Sequence, residues 1–191
     1  MTHNLSHNRT FVVTLFLATV ALAAQEQPPG AVNAAMHLGE IYAAAGRLAE
    51  AADVFQNATG TIRRNKSSPG MLSAALRNLA NIYLNQGRYP SAEPLLTGSL
   101  ESARRLGEAN PAVANTLLLL GRLYRLEHQP ARAEPVLQKA IRIFEISADR
   151  SLPAGLNELG LLAIDEGTFQ TAKNLVERSM AIYSKTLGPS R

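Results

Sequence analysis

The stretch Leu76–Leu100, LRNLANIYLNQGRYPSAEPLLTGSL, recurs along the chain at a nearly fixed interval. Forty-one residues later, Leu117 opens LLLLGRLYRLEHQPARAEPVLQKAI. Forty-one residues earlier, Ala35 opens AMHLGEIYAAAGRLAEAADVFQNAT, and thirty-nine beyond Leu117, Leu156 opens LNELGLLAIDEGTFQTAKNLVERSM. A repeat of this length constrains the fold more than any local propensity. Each unit is too small to bury its own apolar face, so the units must stack into a solenoid.

The recurring residues have packing reasons. Leu38, Leu79, Leu120 and Leu159 follow Ala35, Leu76, Leu117 and Leu156 by three residues, which places both on one helical face. A small residue comes next each time: Gly39, Ala80, Gly121 and Gly160. It lets a second helix approach. Tyr42, Tyr83 and Tyr124 stand four residues after the leucines, with Ala163 as the exception. A break follows at Gly46, Gly87, His128 and Gly167. The second helix then carries a small residue (Ala51, Ala92, Ala133, Ala172), a bulky one (Phe55, Leu96, Leu137, Val176) and another small one (Ala58, Ser99, Ala140, Ser179). Small against large is what interlocks two antiparallel helices.

This pattern resembles the tetratricopeptide repeat, without the tryptophan sometimes found early in its consensus. The common form has a period of about 34 residues. Here the unit is longer by roughly two helical turns, which keeps the buried face in phase. The extra length, AEPLL at Ala92–Leu96, AEPVL at Ala133–Leu137 and the linker Leu106–Tyr124 look like the kinesin-light-chain type of the repeat. The expected fold is all-α: a right-handed superhelical solenoid of four helical hairpins, at about residues 31–66, 70–107, 111–148 and 152–187. Its first helices are expected near 31–45, 71–86, 111–127 and 153–166, and its second near 48–63, 90–106, 130–147 and 169–186. Residues 65–70 read as a loop. Pro94 and Pro135 fall early in second helices; within the first turn they are tolerated, and deeper they would kink the helix. Ala-Glu-Pro also stands at that place in the kinesin-light-chain type, so both prolines read as structural.

Composition supports folding and narrows the functions. Of 191 residues, 46% are hydrophobic and 18% charged, which excludes a disordered chain. The formal net charge is only +4 and the arginines are dispersed, so nucleic acid is not an expected partner. There is no cysteine, which excludes disulfides, zinc–thiolate sites and a thiol nucleophile.

The N-terminus has its own signature. MTHNLSHNRT precedes an uncharged run, FVVTLFLATVALAA, from Phe11 to Ala24, and Ala21-Leu22-Ala23 is a small-x-small triplet. Fourteen residues is short for a membrane span, which needs about 20. The order is that of a secretory signal peptide, residues 1–24, cleaved after Ala23 or Ala24 and followed by a linker at 25–30. It predicts an exported protein, periplasmic or secreted, with no stable membrane insertion after cleavage. The alternative is an anchor formed by the uncleaved segment.

No catalytic machinery is legible. There is no Gly-rich phosphate loop, HExxH, GxSxG or paired carboxylate in an apolar setting. His3 and His7 lie in the expected signal peptide. His37 sits beside Leu38, expected to be buried, and His128 takes a turn place held elsewhere by glycine. Neither is expected to have a second ligand or an acid nearby, so neither suggests a metal site. No cofactor is expected and the chain does not read as an enzyme.

Binding is expected on the concave face, lined by the first helix of each hairpin. Counting from the core leucines, the groove residues are Asn33, Met36, Glu40 and Ala44, then Arg77, Asn78, Asn81 and Asn85, then Asn115, Leu118, Arg122 and Arg125, then Asn157, Leu161 and Asp165. Asparagine offers a donor and an acceptor to an extended backbone, and arginine adds charge-assisted bonds to carboxylates. The candidate site is Arg77, Asn78, Asn81, Asn85, Asn115, Arg122, Arg125 and Asn157, suited to a protein or peptide segment with acidic side chains. An ordinary solvated polar face is the competing reading. The resemblance implies that Asn78 and Asn81 touch peptide backbone. It does not extend to a C-terminal carboxylate clamp, whose later places hold Leu119, Ala154 and Glu158. The resulting expectation is a protein-interaction scaffold; the alternative is an accessory or regulatory module of a larger enzyme or signalling assembly. Leu175, Val176, Ile182 and Tyr183 on the last helix are expected to be covered in part by self-association, by a partner or by a further part of a longer gene product.

Overall fold

The computed structural model describes residues 30–65 and 67–187. The expected signal peptide, and the expected linker except Gly30, lie outside the described residues. Those described form eight helices and no strand: α1 Ala31–Ala44, α2 Leu48–Arg64, α3 Pro69–Asn85, α4 Tyr89–Arg104, α5 Pro111–Leu126, α6 Pro130–Ser147, α7 Leu152–Asp165 and α8 Phe169–Leu187. The chain is an all-α repeat solenoid. Each odd-numbered helix pairs with the next to make a hairpin, and each hairpin packs on the one before.

The α3 helix starts earlier than composition suggests. Ser68 Oγ accepts the Gly70 N–H at 3.2 Å, and Pro69 fills the first helical position, where a missing N–H is harmless. Asn110 and Pro111 open α5 in the same way, with Asn110 Oδ1 accepting the Ala112 N–H at 2.9 Å. Pro94 and Pro135 lie deeper than the first turn, yet α4 and α6 run through them unbroken, with both prolines on the exposed side.

The hairpin turn is one device used four times. Gly46, Gly87, His128 and Gly167 have φ of 73°, 70°, 56° and 75°. The next residue's N–H reaches back to the carbonyl of Tyr42, Tyr83, Tyr124 or Ala163, at 2.8 Å in every case. The turn residue's own N–H bonds the following carbonyl, closing a Schellman motif. Three of the turns carry a cation–π lid: Arg47 lies 4.4 Å from the Tyr42 ring centroid, Arg88 4.1 Å from Tyr83 and Arg132 3.8 Å from Tyr124. In the third hairpin Gln129 stands where Arg47 and Arg88 stand, and Arg132 reaches back one turn to replace them.

Small residues face large ones inside each hairpin. A Cβ on Gly39 would fall 2.7 Å from Phe55 Cζ, and one on Gly121 would run into Leu137. Gly160 is looser, with Val176 Cγ2 at 3.6 Å. Between hairpins, Leu79 and Ile82 pack on Ala51, Ala52 and Phe55, and Leu162 packs on Ala133 and Leu137. A chain of buried hydroxyls joins α3, α4 and α5. Ser99 Oγ sits 3.0 Å from Ser73 Oγ and 2.9 Å from Thr116 Oγ1, and Thr116 donates to the Ala112 carbonyl at 2.9 Å.

Leu38 departs from the repeat. It is 41% exposed, whereas Leu79 is 3% and Leu120 5% exposed. The interior leucines rest on the second helix of the preceding hairpin, and no described hairpin precedes α1. His37 also differs from expectation, because the Glu40 carboxylate stands 3.4 Å from its Nδ1 on the same exposed face.

Candidate functional site

First helices of successive hairpins touch each other, α1 with α3, α3 with α5 and α5 with α7, while no comparable contact joins second helices among the described residues. Close inner helices and splayed outer ones curve the stack, and the inner layer presents one continuous face.

The candidate residues divide on that face. Arg122 stands between α3 and α7. Its guanidinium donates to Asn81 Oδ1 at 3.4 Å and to Asn85 Oδ1 at 3.1 Å, and lies 4.0 Å from Glu158. Arg125, only 15% exposed along its side chain, pairs with Glu158 at 3.3 Å and Asp165 at 3.2 Å. Of the two arginines expected to read a ligand's acids, Arg125 thus already holds two acids of the neighbouring hairpin, and Arg122 is held by two asparagines with Glu158 close by. Asn78 donates to Glu40 at 3.4 Å, again between hairpins. Asn115 turns back on its own helix and donates to the Pro111 carbonyl at 2.9 Å. Asn157 is exposed.

Arg77 differs from all of these. It is half-buried and has no hydrogen bond or ion pair with a described residue. Burial pushes its guanidinium below the ordinary arginine value, and the Glu40 carboxylate opposes that shift without reaching contact. Met36 and Leu118 hold the same register in the adjoining hairpins, so an apolar strip flanks this cation.

Glu158 and Asp165 carry the part of the site that sequence reading underused. In sequence Asp165 reads as a groove residue and Glu158 as the occupant of a clamp position. Their place on the first helix of the next hairpin is the available signal: Asp165 lies one repeat beyond Arg125, and Glu158 lies two turns before it on the same helical face. Among the described residues no group of three His, Asp or Glu side chains is arranged to hold a metal ion.

Comparison with known proteins agrees with this architecture. Two tetratricopeptide repeat family models match, over residues 71–146 and 17–69. Together they span more than half of the chain, which belongs to the tetratricopeptide repeat family, a protein-interaction scaffold. No curated protein sequence matches it. Among solved structures it is similar to BtubC (BKLC) from P. vanneervenii, with a TM-score of 0.72 and 25% identity over 87% of this chain and 68% of that one. The putative kinesin light chain TPR-like repeats of Podosopora anserina align with a TM-score of 0.67 and 24% identity, over 93% of this chain and 88% of that one. The apo form of RapI shares the fold, with a TM-score of 0.76 at 16% identity over 92% of this chain and 64% of that longer one.

Proposed function

We propose that this chain is a non-catalytic scaffold whose inner face holds an extended segment of another protein. The observation that supports it most is the continuous inner layer of α1, α3, α5 and α7, which carries asparagine amides and arginines between apolar side chains. Asn81 and Asn85 receive Arg122 on their carbonyl oxygens, leaving their NH₂ groups to donate to a ligand backbone. Binding of the chain to an array of immobilised twelve-residue peptides tests the reading. N81L and N85L should weaken the selected peptides at least fivefold, while R142A on the outer helix α6 should leave them unchanged. Loss with R142A and retention with N81L and N85L would move the site to the outer layer.

Export belongs to the same reading, supported by the charge-free run from Phe11 and its small-x-small end. N-terminal sequencing of protein recovered from an exported fraction should begin at Ala24 or Gln25; an intact Met1 in the cytosol would refute it. No helix of the described residues is long and apolar enough to cross a membrane.

A second contact is favoured by α8. Val176, Met180 and Tyr183 are exposed there, in the register where Leu137, Ile141 and Phe144 are buried by the following hairpin. We read this surface as a self-association face. M180E should shift light scattering toward the monomer, and a wild-type monomer at millimolar concentration would count against it.

A further inference from the structure

The inner face carries three arginines and three acids, and they are unevenly matched. Arg122 and Arg125 on α5 lie against Glu158 and Asp165 on α7, the closest approach being 3.2 Å. Arg77 on α3 lacks such a partner, and Glu40, the acid that acts on it, spends its contacts on Asn78 at 3.4 Å and on His37 at 3.4 Å. A carboxylate arriving at Arg125 must displace an acid already bonded there, and one arriving at Arg122 must displace the Asn81 and Asn85 carbonyls and meets the repulsion of Glu158 4.0 Å away. A carboxylate arriving at Arg77 displaces nothing, and it satisfies a guanidinium that has already lost much of its water.

Building on the groove reading above, we infer that Glu158 is a specificity-determining residue: with Asp165 it occupies Arg122 and Arg125 as a resident anion, which turns acidic side chains away from α5–α7 and directs a ligand carboxylate to Arg77. The matching ligand is an extended segment with one acidic residue between apolar ones. Its carboxylate meets Arg77, and its apolar neighbours rest on Met36 and Leu118. Leu161, 41% exposed in the register of Arg122, extends the apolar character of the α7 end. A run of acids suits this face poorly, although the face contains three arginines.

The test is an array of twelve-residue peptides with an apolar background and either one glutamate or two, the second placed toward the α7 end. The wild-type chain should prefer the single-acid peptides. R77M, which installs the residue found at this register in the first hairpin, should weaken them roughly tenfold, as loss of a charge-assisted bond does. R77K keeps the charge and should restore most of the binding, which separates loss of the contact from loss of the fold. E158Q/D165N should strengthen two-acid peptides about tenfold and single-acid peptides less than twofold. Equal gains for both peptide classes would show a diffuse charge effect and overturn the inference while leaving the groove reading intact. Retained single-acid binding in R77M would do the same. If the wild-type chain selects no peptide, the groove reading falls and takes this inference with it.

Discussion

Four hairpin turns require a left-handed backbone, and one of them is filled by histidine. His128 has φ of 56°, where a side chain costs about 1–2 kcal/mol relative to glycine. Part of that cost is offset by the freedom glycine has when unfolded, so H128G should stabilise the chain by about 0.5–1 kcal/mol in urea unfolding. G87A should destabilise it by about 1 kcal/mol, because its φ of 70° is equally unsuited to a side chain. The glycines inside helices separate by what faces them. G121A drives a methyl into Leu137 and should cost about 1–3 kcal/mol, whereas G160A makes only ordinary contacts, with Val176 at 3.6 Å, Leu175 at 3.7 Å and the Ala172 carbonyl at 3.8 Å, and should be neutral or stabilising by up to about 1 kcal/mol. Equal effects at the two sites would mean that intra-hairpin contact does not set the helix separation.

The elements were legible because each repeat restates the same requirements. A break every forty residues and a small residue against a bulky one are local signals, and each corresponds to a contact in the fold, whereas the Ser68 cap before Pro69 lies in a stretch that reads as a loop. Less legible was whatever depends on which neighbour a side chain meets. Leu38 reads like Leu79, yet it is exposed because burial at that register comes from the hairpin before it. Arg125 reads like a free groove cation, yet it is paired because Glu158 and Asp165 lie one repeat further on. Ser99, in a register filled by alanine in α2 and α6, binds three helices through Ser73 and Thr116. S99A should cost about 1–3 kcal/mol by leaving the buried Ser73 hydroxyl short of a partner, while Thr116 keeps the Ala112 carbonyl, and thermal unfolding would show it. A change within experimental error would mean that the Ser73 hydroxyl finds another partner, as Thr116 does in the Ala112 carbonyl.

At the scale of the molecule, stability is a sum over hairpins and the interfaces between them. Interior hairpins have an interface on both sides, so L120A should cost about 2–5 kcal/mol and L38A less than about 1 kcal/mol. The same stacking produces the inner face, and the charge pairs on that face link neighbouring hairpins. The claim that most depends on all of this is that the first helices, and not the second, receive the ligand. The direct measurement is hydrogen-exchange mass spectrometry of the chain with and without the tightest peptide from the array. New protection on α1, α3, α5 and α7, strongest around Arg77 and Asn81, is the predicted result. Protection centred on α2, α4 and α6, with the inner helices unchanged, would contradict it.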